Sequence, residues 1–215
     1  VTHNFTPLGH NELYHGFCYN EKASFIVSEV DEKSSLRLED VMTEITILKN
    51  LQHTSIPSFK GVWLKQISPT SYRVFTAINQ CKLGTLRSLQ TEYDLTWAHQ
   101  IQITEDISGA LAYLHNQEIL HRSMLSTNVI VSDKWTAFLT GFSRACHVDY
   151  EGRNDHRNVD PENPVNDLPS TEDYGKHTDV FGIGVILMEM MLDGDELPEN
   201  TPVVLQHIAN QCTRM

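Results

Sequence analysis

Through the first third of the chain, apolar and aromatic residues gather in short runs separated by polar turns, and beyond Gly84 they recur at helical spacing. Residues 13–18 and 24–30 read as strands on either side of the turn-like cluster Asn20-Glu21-Lys22. Two more strands, 61–66 and 72–78, frame Ser68-Pro69-Thr70. Between the pairs, residues 39–51 set Val41, Ile45, Leu48 and Leu51 on one face and predict a helix. Further on, 85–90 predicts a short helix and 96–116 a long one carrying Ile101, Ile107, Leu111 and Leu114. Short strands are expected within 120–131 and over 137–139. The stretch 143–175 is polar, rich in Asp, Asn and Pro and without period, so it reads as irregular and mobile. Residues 180–192 predict the last strong helix and 203–212 a weaker one. Strands first and helices second imply an α+β fold of two lobes: 1–80 with a sheet and the helix 39–51, and 81–215 mainly helical.

Composition narrows the function classes. With 215 residues, 40% hydrophobic and 20% charged, the chain has material for a buried core and is not a disordered polymer. A net charge of −12 argues against nucleic acid or an anionic membrane as a direct partner. Cys18, Cys81, Cys146 and Cys212 are widely spaced, which suits free thiols in a reducing, cytoplasmic setting better than disulfides or a zinc site. The run 180–192 contains Glu189 and is too short to cross a bilayer, so direct membrane insertion is not expected. No signal peptide pattern follows Val1-Thr2-His3, and the sequon Asn4-Phe5-Thr6 is read as chance.

Four segments stand in a telling order. Glu44-Ile45-Thr46-Ile47-Leu48 leads to Leu51-Gln52-His53 and Ile56, and Cys81-Lys82-Leu83-Gly84-Thr85-Leu86 follows. Next, Ala112-Tyr113-Leu114-His115 enters Ile119-Leu120-His121-Arg122, and Asp179-Val180-Phe181-Gly182-Ile183-Gly184-Val185 comes last. Over roughly residues 8–192 this order resembles the protein kinase family, and most nearly its tyrosine-kinase-like branch with that branch's pseudokinases. The resemblance implies a bilobal kinase-like fold, a small β-rich lobe over a helical one, with the second lobe abbreviated after the helix that begins near Asp179. It also implies that His121, Phe142 and Leu48 stack as a regulatory spine and that Asp179 anchors the catalytic-loop backbone. Ile78 then stands at the gatekeeper position, with 79–81 as the hinge.

Departures from the family pattern carry the functional reading. Where the family has its catalytic base the chain has Ser123, and where it has the magnesium-binding Asp the chain has Gly141. Ser28 replaces the phosphate-binding Lys, and Ile26 the small residue over the adenine ring. The phosphate loop 8–14 keeps a single glycine, Gly9, and places Glu12 near the phosphates. Glu44 remains without its lysine partner, expected to turn to solvent, find another donor or take up a proton. Asn128 survives, but one neutral amide is a poor magnesium ligand. The expectation is therefore a pseudokinase that is not an enzyme and has no catalytic residue and no metal site. Its vestigial cleft is Gly9, Ile26, Glu44, Ile78, Cys81 and Asn128, with ATP and Mg²⁺ binding weak or absent. It would act as a signalling scaffold or allosteric regulator on a protein partner such as an active kinase or another signalling protein. Two alternatives stand: an atypical or weak protein kinase in which Glu29, Glu44 or another acid fills the missing roles, and a nucleotide-binding switch that needs no metal.

Blander readings accompany the sharper ones. Ser123 beside His121 lacks an orienting acid, so a hydrolase is not expected. His147, Asp149, Asp155 and His156 read as a polar loop rather than metal ligands. Met188, Met190 and Met191 read as helix core, and Asp193, Asp195 and Glu196 as a solvated loop. Tyr150, Ser170, Thr171 and Tyr174 are candidate phosphorylation positions, and Pro161-Glu162 aligns insecurely with the end of the family's activation segment. A shortened second lobe would leave part of the helix 180–192 exposed to a partner.

Overall fold

A computed structural model describes residues 6–8 (as backbone), 13–19, 21–31, 37–149, 174–192 and 197–213. Its amino-terminal part is a five-stranded antiparallel sheet. The strands are β1 (Thr6–Leu8), β2 (Leu13–Cys18), β3 (Glu21–Val30), β4 (Phe59–Ser68) and β5 (Ser71–Ile78), in the spatial order β1-β2-β3-β5-β4. Alternation splits β3 into two faces. Ala23, Phe25 and Val27 bury with Cys18 and Ala77 on one face, against Trp63 and Phe75. Ser24, Ile26 and Ser28 point the other way, in register with Ile78, Thr76 and Val74 of β5. Helix α1 (Leu38–Asn50) covers that second face, its Val41 and Ile45 clustering with Val74. Glu39 and Asp40 favour its start by opposing the helix dipole, and the Arg37 N–H donates to the Asp40 carboxylate at 2.8 Å.

Beyond Ile78 the chain turns helical: α2 (Leu86–Glu92), α3 (Trp97–Asn116), α4 (Lys176–Met191) and α5 (Val203–Cys212). Thr85 and Thr96 cap α2 and α3 by accepting the N–H groups of Ser88 and His99 at 3.2 and 3.3 Å. Small strands stitch the surface over α3. They are β6 (Gly84–Thr85) with β8 (Val129–Val131) and β9 (Ala137–Leu139), and β7 (Ile119–Leu120) with β10 (Cys146–His147). The main core joins Ile103, Ile107, Leu111 and Leu114 of α3 to Ile183, Ile186 and Leu187 of α4, and takes in Leu48 of α1 and Phe142. Each such side chain contributes roughly 1.5–3 kcal/mol by leaving water. No helix among the described residues is long and apolar enough to cross a membrane.

The α+β architecture matches the expectation, and the differences have local causes. Strand β3 begins at Glu21 because the hairpin register runs on through Phe17↔Lys22 and Cys18↔Glu21, into the polar residues that predict a turn. Strand β1, three residues long, is too short to carry a period. The expected strand region 120–131 breaks at Arg122, whose φ is +64°. Ile101 is 46% exposed, and Ile103 takes the inward place instead. Helix α4 starts at Lys176, ahead of the apolar run, since its first turns bury Thr178 and Asp179 rather than hydrophobes. The methionines are core, with Met190 and Met191 buried. Residues 143–149 are not irregular throughout, for β10 pairs with β7. Residues 150–173, with Tyr150, Asp155, His156, Pro161, Glu162, Ser170 and Thr171, lie outside the described set. So do Gly9, Glu12 and 193–196. Helix α5 covers α4 at Gly184, where an added Cβ would stand 2.8 Å from both Cys212 Cβ and Thr213 Cγ2.

Candidate functional site

Asp179 organises the loop between β7 and β8. Fully buried at the start of α4, its carboxylate accepts the N–H groups of His121 and Arg122, each at 2.9 Å. The Tyr174 hydroxyl donates to it at 2.7 Å and the His115 ring lies at 2.9 Å. Burial pushes its pKa up. The His115 bond, with the His121 and Arg122 amides, outweighs burial and holds the carboxyl below its ordinary range. Arg122, at positive φ and 2% exposed, sits over the Tyr174 ring at 5.4 Å. Tyr174 is itself 3% exposed, so its hydroxyl is a structural donor and not the accessible phosphorylation position expected.

His121 reads as a packing residue. Its Nε2 donates to the Thr140 carbonyl at 2.8 Å and its Nδ1 accepts the Ser123 N–H at 3.2 Å. A carbonyl only accepts and an amide only donates, so those two partners select the Nε2–H tautomer. The ring meets Phe142 edge-on at 5.1 Å, and Phe142 shares the core with Leu48. The His121–Phe142 contact is one step of the stack the resemblance implied.

The three substituted positions are brought near one another in part. Ser123 is buried, and Asn128 Nδ2 donates to its carbonyl at 2.9 Å and its Oγ at 2.7 Å. Gly141 adopts φ +78°, ψ 42° beneath Asn128, and a Cβ built there would stand 2.3 Å from Asn128 Cγ. The Asn128 amide thus fills the direction in which a side chain at 141 would grow. Ser28 lies on β3, 6% exposed, opposite Val74. Glu44 does not turn to solvent: it is 5% exposed on the inward face of α1. Glu29 is elsewhere, ion-paired with Arg73 at an exposed sheet position.

The remaining cleft residues form an apolar wall. Leu13, Ile78, Cys81 and Ile130 make one buried cluster, with Ile26 and Phe138 packed against it. Burial pushes the Cys81 thiol up to about 12, helped by the Asp133 charge. Ser24, which no motif in the sequence singles out, reaches the hinge from β3 and bonds Cys81. Nothing but its place two residues before Ile26 on the same strand face could have pointed to it. Asp106 was missed as well: it accepts the Ala137 N–H at 2.8 Å and the Ser55 hydroxyl at 3.3 Å, tying the surface strands to α3. His147 and Asp149 are exposed, 3.8 Å apart, and no group of three or more metal-ligating side chains occurs among the described residues. No disulfide joins any of the four cysteines among the described residues.

The fold and its anchored loop are those of a kinase domain. The protein kinase domain family profile matches residues 18–215, and the chain belongs to that family. It is similar to probable serine/threonine-protein kinase kinY of Dictyostelium discoideum, 27% identical over 200 residues, 84% of this chain and 34% of that protein. It is also similar to wall-associated receptor kinase-like 17 of Arabidopsis thaliana, 26% identical over 228 residues, 95% of this chain and 28% of that protein. A further similarity is to wall-associated receptor kinase 4 of the same plant, 25% identical over 184 residues, 81% of this chain and 24% of that protein. The chain thus spans about a quarter to a third of the length of these relatives. The expectation that it is not an enzyme, drawn from Ser28, Ser123 and Gly141, is overturned by this finding, because the relatives are named as kinases. Loss of such side chains lowers a rate by finite factors and does not by itself mean loss of a reaction.

Nucleotide and Mg²⁺ are the groups that this family implies. Mg²⁺ prefers carboxylate and phosphate oxygens in octahedral order. At the corresponding place the described residues offer the hydroxyl of Ser123, one neutral Asn128 amide whose Nδ2 is bonded to Ser123, and a glycine, with no carboxylate among them. Those residues do not fit the ion in this arrangement.

Proposed function

We propose that the chain is an atypical, weak protein kinase domain acting on protein hydroxyl groups, with Glu44 as the acid of its cleft. The observation that carries the reading is the catalytic loop held by Asp179 in a chain belonging to the kinase family. Among the two acids considered, Glu44 is buried on the inward face of α1, while Glu29 is committed to Arg73 on the outside of the sheet. Ser123 in place of a carboxylate base leaves the substrate hydroxyl without a proton acceptor of matched strength, so transfer is slow. The segment 81–86 after the hinge supports the tyrosine-kinase-like branch, and the division into lobes at 80/81 belongs to the same proposal. So does a signalling protein as substrate or partner. The test is incorporation of labelled phosphate into serine- and threonine-containing peptides and into the chain itself, with Mg²⁺ or Mn²⁺. Slow incorporation, abolished by Glu44→Gln and kept by Glu29→Gln, is the expected result. No incorporation over hours at high enzyme concentration refutes the reading.

A second reading, a nucleotide switch that works without metal, is favoured by one observation: Gly141 brings no carboxylate to the magnesium position, and the Asn128 amide fills the space where one would stand. It predicts that ATP raises the thermal unfolding midpoint equally in Mg²⁺ and in EDTA. A rise that requires the metal removes it.

A further inference from the structure

The polar edge of the hinge is already in use. Ser24, with no exposed surface, stands on β3 in register with Ile78 of β5 and His15 of β2. Its Oγ accepts the Cys81 N–H at 2.8 Å and lies 3.3 Å from the Cys81 carbonyl. His15 Nδ1 is 3.1 Å away. One arrangement satisfies every partner: the His15 Nδ1–H and the Cys81 N–H donate to Oγ, and the hydroxyl donates to the Cys81 carbonyl. His15 Nε2 is then left as the ring's acceptor, and it has no hydrogen-bond partner among the described residues. One short side chain thus engages both the backbone donor and the backbone acceptor of a hinge residue.

The space beside that edge is filled too. By strand alternation, Ile26 points into the same face as Ser24. It packs on a cluster in which Leu13 is 3% and Ile130 2% exposed. Leu13 belongs to the sheet and Ile130 to β8 on the helical part, so the cluster spans the two halves of the molecule. A flat heteroaromatic ring entering between sheet and β8 would have to part these side chains. It would also need an unengaged amide at the hinge for its ring nitrogen, since a buried polar edge left unpaired costs free energy.

We propose that Ser24 is a latch: by holding the Cys81 amide and carbonyl it keeps a purine-sized slot closed, with Ile26 as its filling. The proposal rests on the kinase reading for the identity of the slot's ligand class, a purine nucleoside or nucleotide. A bound purine must first displace the Ser24 hydroxyl. The latch therefore sets the affinity for the base, independently of how phosphates or metal are handled.

Adenosine, which has no phosphate, is the probe, titrated calorimetrically in EDTA into wild type, Ser24→Ala, Ile26→Ala and the double variant. At least a tenfold gain in affinity is expected in the double variant, with Ile26→Ala alone giving less than half of that gain on a logarithmic scale. An unchanged affinity in a cooperatively unfolding double variant overturns the latch, and so does a full gain from Ile26→Ala alone. Amide hydrogen exchange supplies a measure that needs no variant. The Cys81 N–H should exchange at least a hundredfold more slowly than a random coil, and a rate within tenfold of coil in wild type overturns the proposal. Phosphate transfer is not read in either experiment, so a silent kinase assay would remove the proposed function and leave the latch standing.

Discussion

Replacing Gly141 by alanine tests the geometry at the magnesium-loop position most directly. The residue sits at φ +78°, ψ 42°, where an alanine costs about 1–2 kcal/mol relative to glycine. Its new Cβ would stand 2.3, 2.5 and 2.6 Å from Asn128 Cγ, Oδ1 and Nδ2, so the amide has to leave. Leaving breaks the two bonds from Asn128 Nδ2 to Ser123, worth about 0.5–1.5 kcal/mol each. The expected destabilisation is therefore roughly 2–5 kcal/mol. Urea unfolding with an unchanged m value measures it. In an Asn128→Ala background the collision is gone, and Gly141→Ala should cost only the backbone strain of about 1–2 kcal/mol. A cost below about 0.5 kcal/mol in the wild-type background would show that Asn128 does not occupy that space, and the reasoning would fail. Gly141→Asp meets the same obstacle, though with less backbone strain, because Asp tolerates the left-handed region better than Ala. Restoring the acid by itself is thus expected to leave Asn128 and the new carboxylate competing for one place.

Other predictions follow from the same contacts. Because the Asp179 carboxyl titrates lower in the folded chain than in the unfolded one, the unfolded state binds the extra proton as pH falls. Its stabilisation is present above the ordinary carboxylate range and lost as pH drops through the lowered folded value. Urea unfolding from pH 7 to pH 3 should show that acid limb, and Asp179→Asn should flatten it at a cost of about 3–5 kcal/mol at neutral pH. The raised and buried Cys81 thiol should resist alkylation at pH 8 in the native state, while partly exposed Cys146 reacts, as peptide mass mapping can read. Gly184→Ala should push α5 off α4 and destabilise by about 1–3 kcal/mol, seen as faster amide exchange in Val203–Cys212. Unchanged exchange there would mean that the two helices yield without strain.

Much of the architecture was legible in the order of residues, because strand and helix periods are local properties of the chain. The apolar and aromatic run of 13–18, the helical periods of 39–51 and 203–212, and the core role of Met190 and Met191 needed no partner to be seen. The same holds for Asp179 and the His121–Phe142 pair, whose spacing matched a family frame. Where polar residues do the packing, the period failed. Thr178 and Asp179 open α4 as buried polar groups, and Asp106 ties three segments from a helix face that looks merely solvated. What tertiary structure alone decided was where freed side chains went. Asn128 turned onto Ser123 over Gly141, Glu44 stayed inside, and Ser24 reached across to Cys81. A hydrogen bond between residues 57 positions apart depends on strand register and sheet twist, and no local pattern of letters encodes either.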